Sequence, residues 1–554
     1  MTSARSVFGI QLKVGLALGV ILFITLFWRL GEPSFWDPDE AVYAEVTREL
    51  VASGDWWAPF YNGQPFFDKP IVFYWLQALP MAAGLDSELS ARLAPACAGV
   101  LLVLATLWLG VQLASVEVGV IAALMLATNA GMLGLARYAI LDLPFTLFLF
   151  SGIAALAVAM LRRQRLEYPG YVLIGLATAV KGPVALVLCG VAFMLIAAVS
   201  REARRKLLAL QWVRGFLLAA AIGAPWPLYM WWRFGDAFIR GYALDENLLL
   251  YATPMYGGQR GWWFYLNVLA AGMLPWTVML PARLVELFRE RRIPAAVDLF
   301  DVLLWCWVAS IVGFFSLSQF KLDHYVFPAA PALCLICARA WVRWRDAENP
   351  ALLVRTSLGL VGVTLIVAGL AIAIASLVVL DLPRRFLVVP AVLIGAGIDA
   401  VVRYSRGRRL PWAPVAPIAA MAVLYAGIVV YVFPRLETGK VVPAVARWID
   451  EQAPETTSVG AFRMNRWSSA FRFYVDRRVT RLETEEEARQ FFAEHPDAFG
   501  VMTGESLEVL AAAGVPLQVL FEREGRWVTS GKALWRAPER PTRFVVVAKS
   551  AGDR

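Results

Sequence analysis

Long apolar runs recur along this chain and constrain its fold more than any other feature. Of its 554 residues, 59% are hydrophobic, and the mean hydropathy is +0.60. A helix of roughly 17–25 apolar residues is long enough to cross the hydrocarbon layer of a bilayer, about 30 Å thick. Such runs centre near residues 22, 102, 126, 152, 175, 190, 222, 274, 308, 332, 366, 392 and 423. The pattern predicts a polytopic α-helical membrane protein with about 13 transmembrane helices.

Basic residues fall in every second connection between the predicted spans. The clusters are Arg5 with Lys13, Arg162 to Arg165, Arg201 to Lys206, Arg289 to Arg292, Arg343 to Arg345 and Arg403 to Arg409. Since short cytoplasmic loops are enriched in Lys and Arg, the alternation predicts a cytoplasmic N-terminus, although Arg384 and Arg385 depart from it. The net charge of +9 is therefore mostly a topology signal. Because these residues are spread over separate loops, they do not predict a nucleic-acid partner.

The small number of cysteines and histidines limits metal and redox chemistry. All five cysteines lie within predicted spans, including the Cys334 and Cys337 pair, so they are interpreted as small core residues. Two histidines are too few for a multi-histidine metal site. The sequence thus requires no cofactor and predicts no metal-binding residue, while a divalent cation stays open. The first span lacks a small-residue cleavage site and is predicted to be a retained helix.

The composition of the chain changes after residues 431–434. Residues 1–435 are predicted to form a membrane domain with longer loops at 31–90, 234–262 and 317–326. In residues 436–554 the charge density rises and the apolar runs shorten, which favours a small soluble α/β domain. An odd number of spans from a cytoplasmic N-terminus places this domain in the periplasm.

Local patterns predict the elements of the C-terminal domain. Val442–Gln452 and Thr484–Glu494 are predicted helices, and Thr484 and Glu487 have the spacing of a capping box. Short apolar runs predict strands at Ser458–Met464, Ala470–Val475, Ala498–Met502 and Phe544–Ala548. Mixed helices and strands over this length are enough to bury a core of their own.

Three carboxylates lie directly behind the first span, in Trp36-Asp37-Pro38-Asp39-Glu40. Charges at the end of a membrane helix are costly unless they are solvated, paired or functional. The same loop continues to Phe67-Asp68-Lys69-Pro70, which adds a further acidic and a basic group. The loop therefore predicts a candidate catalytic site at one membrane face.

The span count brings further polar residues to the same face. They are Tyr138 and Asp142 between spans three and four, Lys181 between five and six, Arg260 before span eight, and Lys321, Asp323, His324 and Tyr325 between nine and ten. Cations stabilise a phosphate leaving group, and a carboxylate orients or deprotonates an acceptor. The set favours transfer chemistry on an anionic, lipid-attached substrate.

A purely structural interpretation stays open for part of this set. Asp39 and Asp142 could cap helices and pair with basic residues. That interpretation does not account for the additional cations Lys69, Arg260 and Lys321. Neither a Walker phosphate loop nor a Rossmann glycine pattern occurs beside a soluble strand, so a cytosolic nucleotide or nucleotide-sugar substrate is disfavoured.

Several motifs share their order and spacing with one enzyme family. They are Trp36 to Glu45 with Ser53 to Trp56, Phe67 to Pro70, Ala136 to Pro144, Lys181 to Pro183, and Ser316 to Leu322 with Tyr325 and Pro328. Over residues 20–335 this combination resembles the bacterial 4-amino-4-deoxy-L-arabinose lipid A transferases. Those belong to the polyprenyl-phosphate-dependent glycosyltransferases, which include the protein O-mannosyltransferases.

The resemblance implies a GT-C glycosyltransferase fold and assigns catalytic residues. An inverting transfer would move the sugar from undecaprenyl phosphate to lipid A phosphate, in a cavity at the periplasmic face. Asp39 matches the acidic loop residue taken as catalytic, and Asp142 matches the second essential acidic residue. Glu40, beside Asp39, is assigned to the same catalytic group.

The resemblance also assigns the residues that would bind substrate. Lys69, Arg260 and Tyr325 match the contacts to the donor phosphate. Three further residues on the same face are assigned to substrate binding, namely Asp37, Tyr138 and Lys321. The chain departs from the family pattern at Asp68, where Glu is frequent, and at Asp323-His324, where the family has a proline after Lys-Leu.

Two other functions stay open. The same chemistry could serve another acceptor, such as a protein hydroxyl or another glycan. A transporter with an ion path is the alternative from another class, but its charges would lie near the membrane midplane on broken helices. The expected partners are the lipid-linked sugar donor, lipid A and membrane lipids, and the expected state is a monomer.

Overall fold

The computed structural model of the chain describes residues 15–162, 165–253, 260–290, 298–348, 350–454, 456–464, 469–475, 477–527 and 542–550. Parts of the predicted features lie outside these residues. They are the basic residues of the N-terminus, those of the 163–164 and 291–292 segments, and the 254–259 part of the loop predicted at 234–262.

The chain divides into two compact units that are not contiguous in sequence. The first unit comprises Met1–Leu30, Phe66–Leu76 and Arg92–Val432, and the second comprises Gly31–Pro65, Gln77–Ala91 and Phe433–Arg554. The carboxylate-bearing segment at residues 36–40 thus groups with the C-terminal part of the chain. The assignment of residues 1–435 and 436–554 to separate domains with separate roles stays a prediction.

Helices that are long and apolar enough to span a membrane dominate the described part of the first unit. Seven qualify individually: Ser87–Leu113, Asp142–Arg162, Leu299–Leu317, Asp323–Asp346, Leu352–Val378, Arg384–Ser405 and Val415–Glu437. Three bent pairs qualify together: Val116–Ala127 with Ala130–Ala136, Arg201–Leu208 with Trp212–Gly223, and Phe264–Gly272 with Trp276–Arg289. The described residues therefore hold seven to ten candidate spans, which confirms a polytopic helical membrane protein.

The remaining predicted spans correspond to shorter helices. Gly15–Phe27 and Val184–Val199 are apolar helices of fewer than 18 residues, and Glu167–Lys181 surrounds the predicted centre at 175. The centre at 274 falls in the break between two helices that meet at 110°. The number of about 13 crossings stays a prediction because several of these helices are short for a bilayer.

Two helices of the first unit form a close hairpin that matters for the site. Asp142–Arg162 packs against Glu167–Lys181, where an added Cβ on Gly152 would lie 2.8 Å from Ile174. Because the helices run in opposite directions, the first residue of one and the last residue of the other lie at the same end. Small residues at the contact permit this close approach in membrane helices.

The remaining helices of the first unit connect these spans. They are Val72–Ala82, which begins in this unit, then Pro225–Phe234, Asp236–Phe238, the π-helix Ile239–Leu249 and Leu250–Ala252. Near the N-terminus, a second π-helical segment covers Phe23–Phe27. Ile239–Leu249 packs against the helix Pro225–Phe234 through aromatic side chains, since the rings of Tyr242 and Trp226 lie 5.5 Å apart.

The second unit contains an α/β fold. It holds the helix Asp39–Ser53 and a small hairpin of β1 (Phe60–Tyr61) and β2 (Gln64–Pro65). Its main sheet comprises β3 (Val459–Phe462), β4 (Val479–Leu482), β5 (Phe499–Thr503), β6 (Leu517–Gly525) and β7 (Thr542–Lys549). The strand order is β4-β3-β5-β7-β6, in which β3 is parallel to both neighbours and β7 is antiparallel to both neighbours.

Helices of the second unit cover this sheet. They are Val442–Gln452, Ser469–Val475, Glu485–Glu494 and Gly504–Ala512. The predicted capping box is present, since Thr484 accepts a hydrogen bond from the Glu487 N–H and Glu487 accepts one from the Thr484 N–H. Phe491 and Phe492 of that helix contribute to the apolar core under the sheet.

One predicted strand of this unit is wrong. Ala470–Val475 lies within the helix Ser469–Val475, although its alternating apolar residues favoured a strand. Contacts to the helix Asp39–Ser53 override that local preference: Arg48 donates to the carbonyl of Phe473 over 3.1 Å. The strands β4 and β6 were not predicted because their exposed, charge-rich sequences lack an apolar pattern.

Candidate active site

A buried ion pair joins the ends of the helix hairpin. Lys181 ends its helix and donates a hydrogen bond to the carboxylate of Asp142, which opens the other helix. Their side chains are only 9% and 8% exposed. A carboxylate at a helix N-terminus and a cation at a C-terminus are each favoured by the helix dipole. Asp142 is therefore a paired, fixed carboxylate and not a solvated helix cap.

Two residues of Asp323–Ala329, the 3₁₀-helical start of the span Asp323–Asp346, lie next to this pair. His324 Nε2 lies 3.6 Å from Asp142 Oδ2. The ammonium of Lys181 lies 4.6 Å from the ring centroid of Tyr325, within cation–π range. The structure thus brings the predicted residues Asp142 and Tyr325 together through Lys181, a residue that sequence reasoning placed on this face without a role.

A second, partly buried pair is formed by Lys69 and Glu246. Its ammonium donates to Glu246 Oε2 over 2.7 Å and to the carbonyl of Asp68 over 3.1 Å. Burial lowers the pKa of Lys69, but the neighbouring carboxylates raise it overall, Glu246 most strongly. Lys69 is therefore a charged ammonium throughout the physiological pH range.

The two pairs form one electrostatic cluster. Asp142 is among the carboxylates that raise the pKa of Lys69. Burial raises the pKa of Asp68 to about 6, with a further increase from Glu246 and an opposing effect of Lys69. We define the buried charge cluster as Lys69, Asp142, Lys181 and Glu246 with Asp68 and His324. Two ammonium groups and three carboxylates lie in it. The ammonium groups can hold an anionic group if a carboxylate gives up its contact to them.

Aromatic packing fixes the elements that carry this cluster. The ring of Phe67 packs against Phe234 and Phe238 at centroid distances of 5.4 and 5.6 Å. Gly182 has a φ of +84°, and a Cβ there would lie 2.5 Å from the hydroxyl of Tyr242. Glycine is required at this position by both its backbone conformation and the lack of space.

The other predicted substrate-binding residues of this unit have their contacts outside the buried charge cluster. Arg260 donates to Asp323 over 2.8 Å and stacks over the ring of Phe264 at 4.3 Å. Lys321 is buried and donates to the carbonyl of Ser318. Tyr138 is half-buried in the turn between Ala130–Ala136 and Asp142–Arg162. Their roles in binding stay predictions.

The second unit holds the predicted carboxylates of the 36–40 segment. Asp37 is buried, and its Oδ1 accepts the N–H of Ala470 over 2.8 Å. Burial raises the pKa of Asp37 to about 7, against the lowering effects of that hydrogen bond and of Lys440. A large share of this carboxyl group is therefore protonated near neutral pH, which favours a structural hydrogen-bonding role over a purely ionic one.

Asp39 and Glu40 open the helix Asp39–Ser53. Glu40 Oε2 accepts the N–H of Trp36 over 2.9 Å, so this carboxylate closes the turn before the helix. Asp39 is half-buried in the same first helical turn. Since Asp39 and Asp142 belong to different units, their predicted partnership stays a prediction.

Residues near the C-terminus hold this acidic segment in place within the second unit. The N–H of Phe35 donates to the hydroxyl of Tyr474 over 2.8 Å, and Lys440 donates to the carbonyl of Ser34 over 2.8 Å. The ammonium of Lys440 also lies 4.0 Å from the ring centroid of Trp36. Arg472 approaches Glu45 to 3.5 Å, farther along the helix.

Sequence reasoning missed Glu246 entirely. Its only signal was a carboxylate in an otherwise mostly apolar stretch, Ile239–Ala252, whose partner could not be identified without the fold. Among the described residues, no group of three or more His, Cys, Asp or Glu side chains is arranged to hold a metal ion.

The comparison with protein families supports the resemblance. The family model described as dolichyl-phosphate-mannose-protein mannosyltransferase matches residues 16–238. Among solved structures, the chain is similar to ArnT from Cupriavidus metallidurans bound to undecaprenyl phosphate, with a TM-score of 0.71 and 20% identity over 98% of both chains. An oligosaccharyltransferase from Archaeoglobus fulgidus gives a TM-score of 0.52 at 12% identity, covering 98% of this chain and 74% of that one. Together with the apolar helices, these likenesses show a polytopic GT-C fold.

Curated relatives are named undecaprenyl phosphate-alpha-4-amino-4-deoxy-L-arabinose arabinosyl transferases. The protein from Pseudomonas fluorescens is 31% identical over 60% of this chain and 58% of its own length. The alignments with it and with the Sodalis glossinidius relative thus span less than two thirds of those proteins, 58% and 59%. The Pseudomonas paraeruginosa relative is 32% identical over 72% of both chains. On the identity and coverage of this last match, the chain belongs to the family of undecaprenyl phosphate-alpha-4-amino-4-deoxy-L-arabinose arabinosyl transferases.

Proposed function

We propose that this protein is an inverting glycosyltransferase that moves 4-amino-4-deoxy-L-arabinose from undecaprenyl phosphate to a phosphate of lipid A. Family membership supports the donor class, because the curated relatives are named for an undecaprenyl-phosphate-linked aminoarabinose. The observation that carries the proposal is the buried charge cluster, in which Lys69 and Lys181 lie among carboxylates. Such a site suits a reaction that leaves a phosphate with increased negative charge.

Lys69, Arg260 and Tyr325 hold the donor phosphate in this proposal. The bond between the anomeric carbon and the donor phosphate oxygen breaks, and its electron pair leaves with undecaprenyl phosphate. Two cations and a phenol stabilise that developing charge. Lys181 keeps Asp142 ionised and oriented, so that Asp142 can contact the sugar or the acceptor.

Asp39 positions the acceptor, whose oxygen forms the new bond to the anomeric carbon from the opposite side. A lipid A phosphate is already anionic and needs little deprotonation, so orientation is the main contribution of Asp39 in this reaction. Glu40 and Asp37 hold the turn that carries Asp39, as their hydrogen bonds to Trp36 and Ala470 support. Tyr138 and Lys321 complete the assigned substrate contacts.

The reaction would occur at the periplasmic face of the bacterial inner membrane. In this proposal the monomeric protein crosses the membrane about 13 times, with residues 1–435 as catalytic membrane domain and residues 436–554 in the periplasm. The alternation of basic loops supports this orientation, and no cofactor is required.

Cysteine labelling tests the orientation in a Cys97→Ser background, since the other four cysteines are buried. Glu508→Cys lies on the exposed side of a helix in the C-terminal part, and Arg205→Cys lies in an arginine-rich helix. In cells with a permeabilised outer membrane, we expect an impermeant maleimide to label only Glu508→Cys. Labelling of Arg205→Cys alone would reverse the orientation and place the site in the cytoplasm.

The acceptor is tested by mass spectrometry of lipid A from cells with and without the gene. We expect a mass increase of one aminopentose on lipid A phosphate only when the gene is present. The match to a protein mannosyltransferase model over residues 16–238 favours a second candidate, transfer to protein hydroxyls. Unchanged lipid A together with newly glycosylated proteins would favour that candidate and reject the first.

A further inference from the structure

We propose that Glu246 is a competing anion that the donor phosphate must displace from Lys69, and that it thereby sets donor affinity and speeds product release. This inference rests on the proposed function, because it takes Lys69 as a contact of the donor phosphate. It adds a specificity-determining residue to that site.

The geometry of the Lys69–Glu246 pair carries the inference. The ammonium of Lys69 lies 2.7 Å from Glu246 Oε2, and the two side chains are 18% and 22% exposed. A partly buried ammonium with a carboxylate at this distance already has its charge compensated. A phosphate that binds Lys69 must either share it with Glu246 or replace Glu246.

The charge balance disfavours sharing. The cluster contains two ammonium groups, Lys69 and Lys181, against the carboxylates of Asp142, Glu246 and Asp68. Arg260, the other proposed cationic contact of the phosphate, is itself paired with Asp323 over 2.8 Å. Adding an anionic phosphate would increase an existing excess of negative charge in a largely buried site, where repulsion is screened less than in water. Displacement of Glu246 offsets the charge that the phosphate adds, so that the excess does not grow on binding.

Glu246 can leave Lys69 by rotation of its own side chain, which is 22% exposed. The segment Ile239–Leu249 has wide helical turns, a geometry frequent at functional sites. Tyr242 anchors the start of the segment against Trp226 at 5.5 Å, and Tyr251, just after its end, donates from its hydroxyl to the carbonyl of Phe314 over 2.9 Å. Glu246 lies between these two anchors, so its release requires a change of its side-chain conformation and no movement of the helix. Asp142, by contrast, is fixed by Lys181 and has His324 beside it, so Asp142 and Glu246 differ in their freedom to move.

The same competition would act on the product. Undecaprenyl phosphate leaves the reaction with more negative charge than the donor phosphate carried, and it would bind tightly to unopposed cations. Return of Glu246 to Lys69 replaces the contacts that the product loses. We therefore expect Glu246 to weaken binding of undecaprenyl phosphate and to raise the turnover rate when product release is slow.

The test is Glu246→Gln, which keeps the size of the side chain and a hydrogen bond to Lys69 but removes the charge. The dissociation constant of purified undecaprenyl phosphate is measured on the full-length protein in lipid nanodiscs. We expect binding about tenfold tighter than in the wild type, equivalent to about 1.4 kcal/mol. The donor KM should fall and kcat should fall as well. Glu246→Asp, with a shorter reach to Lys69, should tighten binding to an intermediate degree.

Glu117→Gln is the matched control. Glu117 pairs with Arg345 over 2.8 Å, and Arg345 lies at the opposite end of the span Asp323–Asp346 from His324. At the rise of an α-helix, Arg345 lies about 30 Å from His324 along this span. Removal of the charge there should leave undecaprenyl phosphate binding unchanged.

Two results would overturn the inference in different ways. If Lys69→Ala abolishes binding while Glu246→Gln binds equally or more weakly than the wild type, Glu246 is a structural partner of Lys69 and only this inference fails. If Lys69→Ala binds undecaprenyl phosphate normally, the phosphate role of Lys69 fails and the proposed donor site fails with it. Should Glu246→Gln not fold, Glu246→Asp decides by the same criterion, because weaker or unchanged binding in that variant contradicts displacement.

Discussion

Replacing Asp39 by Asn is expected to abolish sugar transfer while the protein folds and binds undecaprenyl phosphate normally. Asn keeps the shape of the side chain and removes the charge that would orient or deprotonate the acceptor. Because Asp39 mainly orients the acceptor, misplacement of the acceptor should cost about 100-fold or more in rate. Asp39 opens the helix Asp39–Ser53 and is half-buried, so the substitution should not disturb a core.

The measurement is transfer from a purified donor to lipid A by the detergent-solubilised protein, with undecaprenyl phosphate binding measured on the same preparation. Asp55→Asn is the matched control, because Asp55 caps a surface turn through Trp57 and Ala58 in the same unit. Wild-type transfer by Asp39→Asn would mean that Asp39 only stabilises the helix N-terminus. If the variant loses both transfer and folding, Asp39 has a structural role, and this result also contradicts the expected outcome.

Lys69→Ala is the second substitution with a large expected effect. Truncation removes a contact to the donor phosphate, leaves the carboxylate of Glu246 without its cation and leaves the carbonyl of Asp68 without a donor. Removing one partner of a buried charge pair costs about 2–5 kcal/mol or more. We expect kcat/KM for the donor to fall by about 30-fold to several thousandfold, at 1.4 kcal/mol for each factor of ten.

Lys206→Ala provides the control for Lys69. Lys206 pairs with Glu202 at 3.0 Å, but both side chains are exposed, and exposed ion pairs contribute about 1 kcal/mol or less. Its activity should match the wild type. If Lys69→Ala retains wild-type kcat/KM, Lys69 acts as a structural partner of Glu246 and Asp68, and the donor phosphate is held elsewhere.

Features encoded in local sequence were predictable from the chain. Apolar runs located the helices, and the spacing of Thr484 and Glu487 located a helix start that the structure reproduces. The meeting of Asp142 and Lys181 follows from a short connection between two antiparallel helices, so the topology already implied that they lie at one end. Family resemblance added the assignment of roles.

Contacts that depend on tertiary packing were not predictable. Glu246 reaches Lys69 only because aromatic packing of Phe67 on Phe238 places the two segments together. Ala470–Val475 has an alternating pattern, yet it forms a helix because its backbone and side chains are engaged by residues 35–48. Local patterns report the intrinsic preference of a segment, and such long-range contacts can override that preference.

The discontinuous make-up of the second unit limits how this enzyme can be recombined with its relatives. Phe35, Asp37 and Arg48 have their partners in residues 470–474, which lie 425 to 439 positions farther along the chain. A chimera that exchanges only the residues after 433 would pair the acidic segment of one protein with the contacts of another. An exchange that respects the native contacts carries Gly31–Pro65 and Gln77–Ala91 together with Phe433–Arg554. For the same reason, we expect substitutions in one of these three segments to be accompanied by compensating substitutions in the other two.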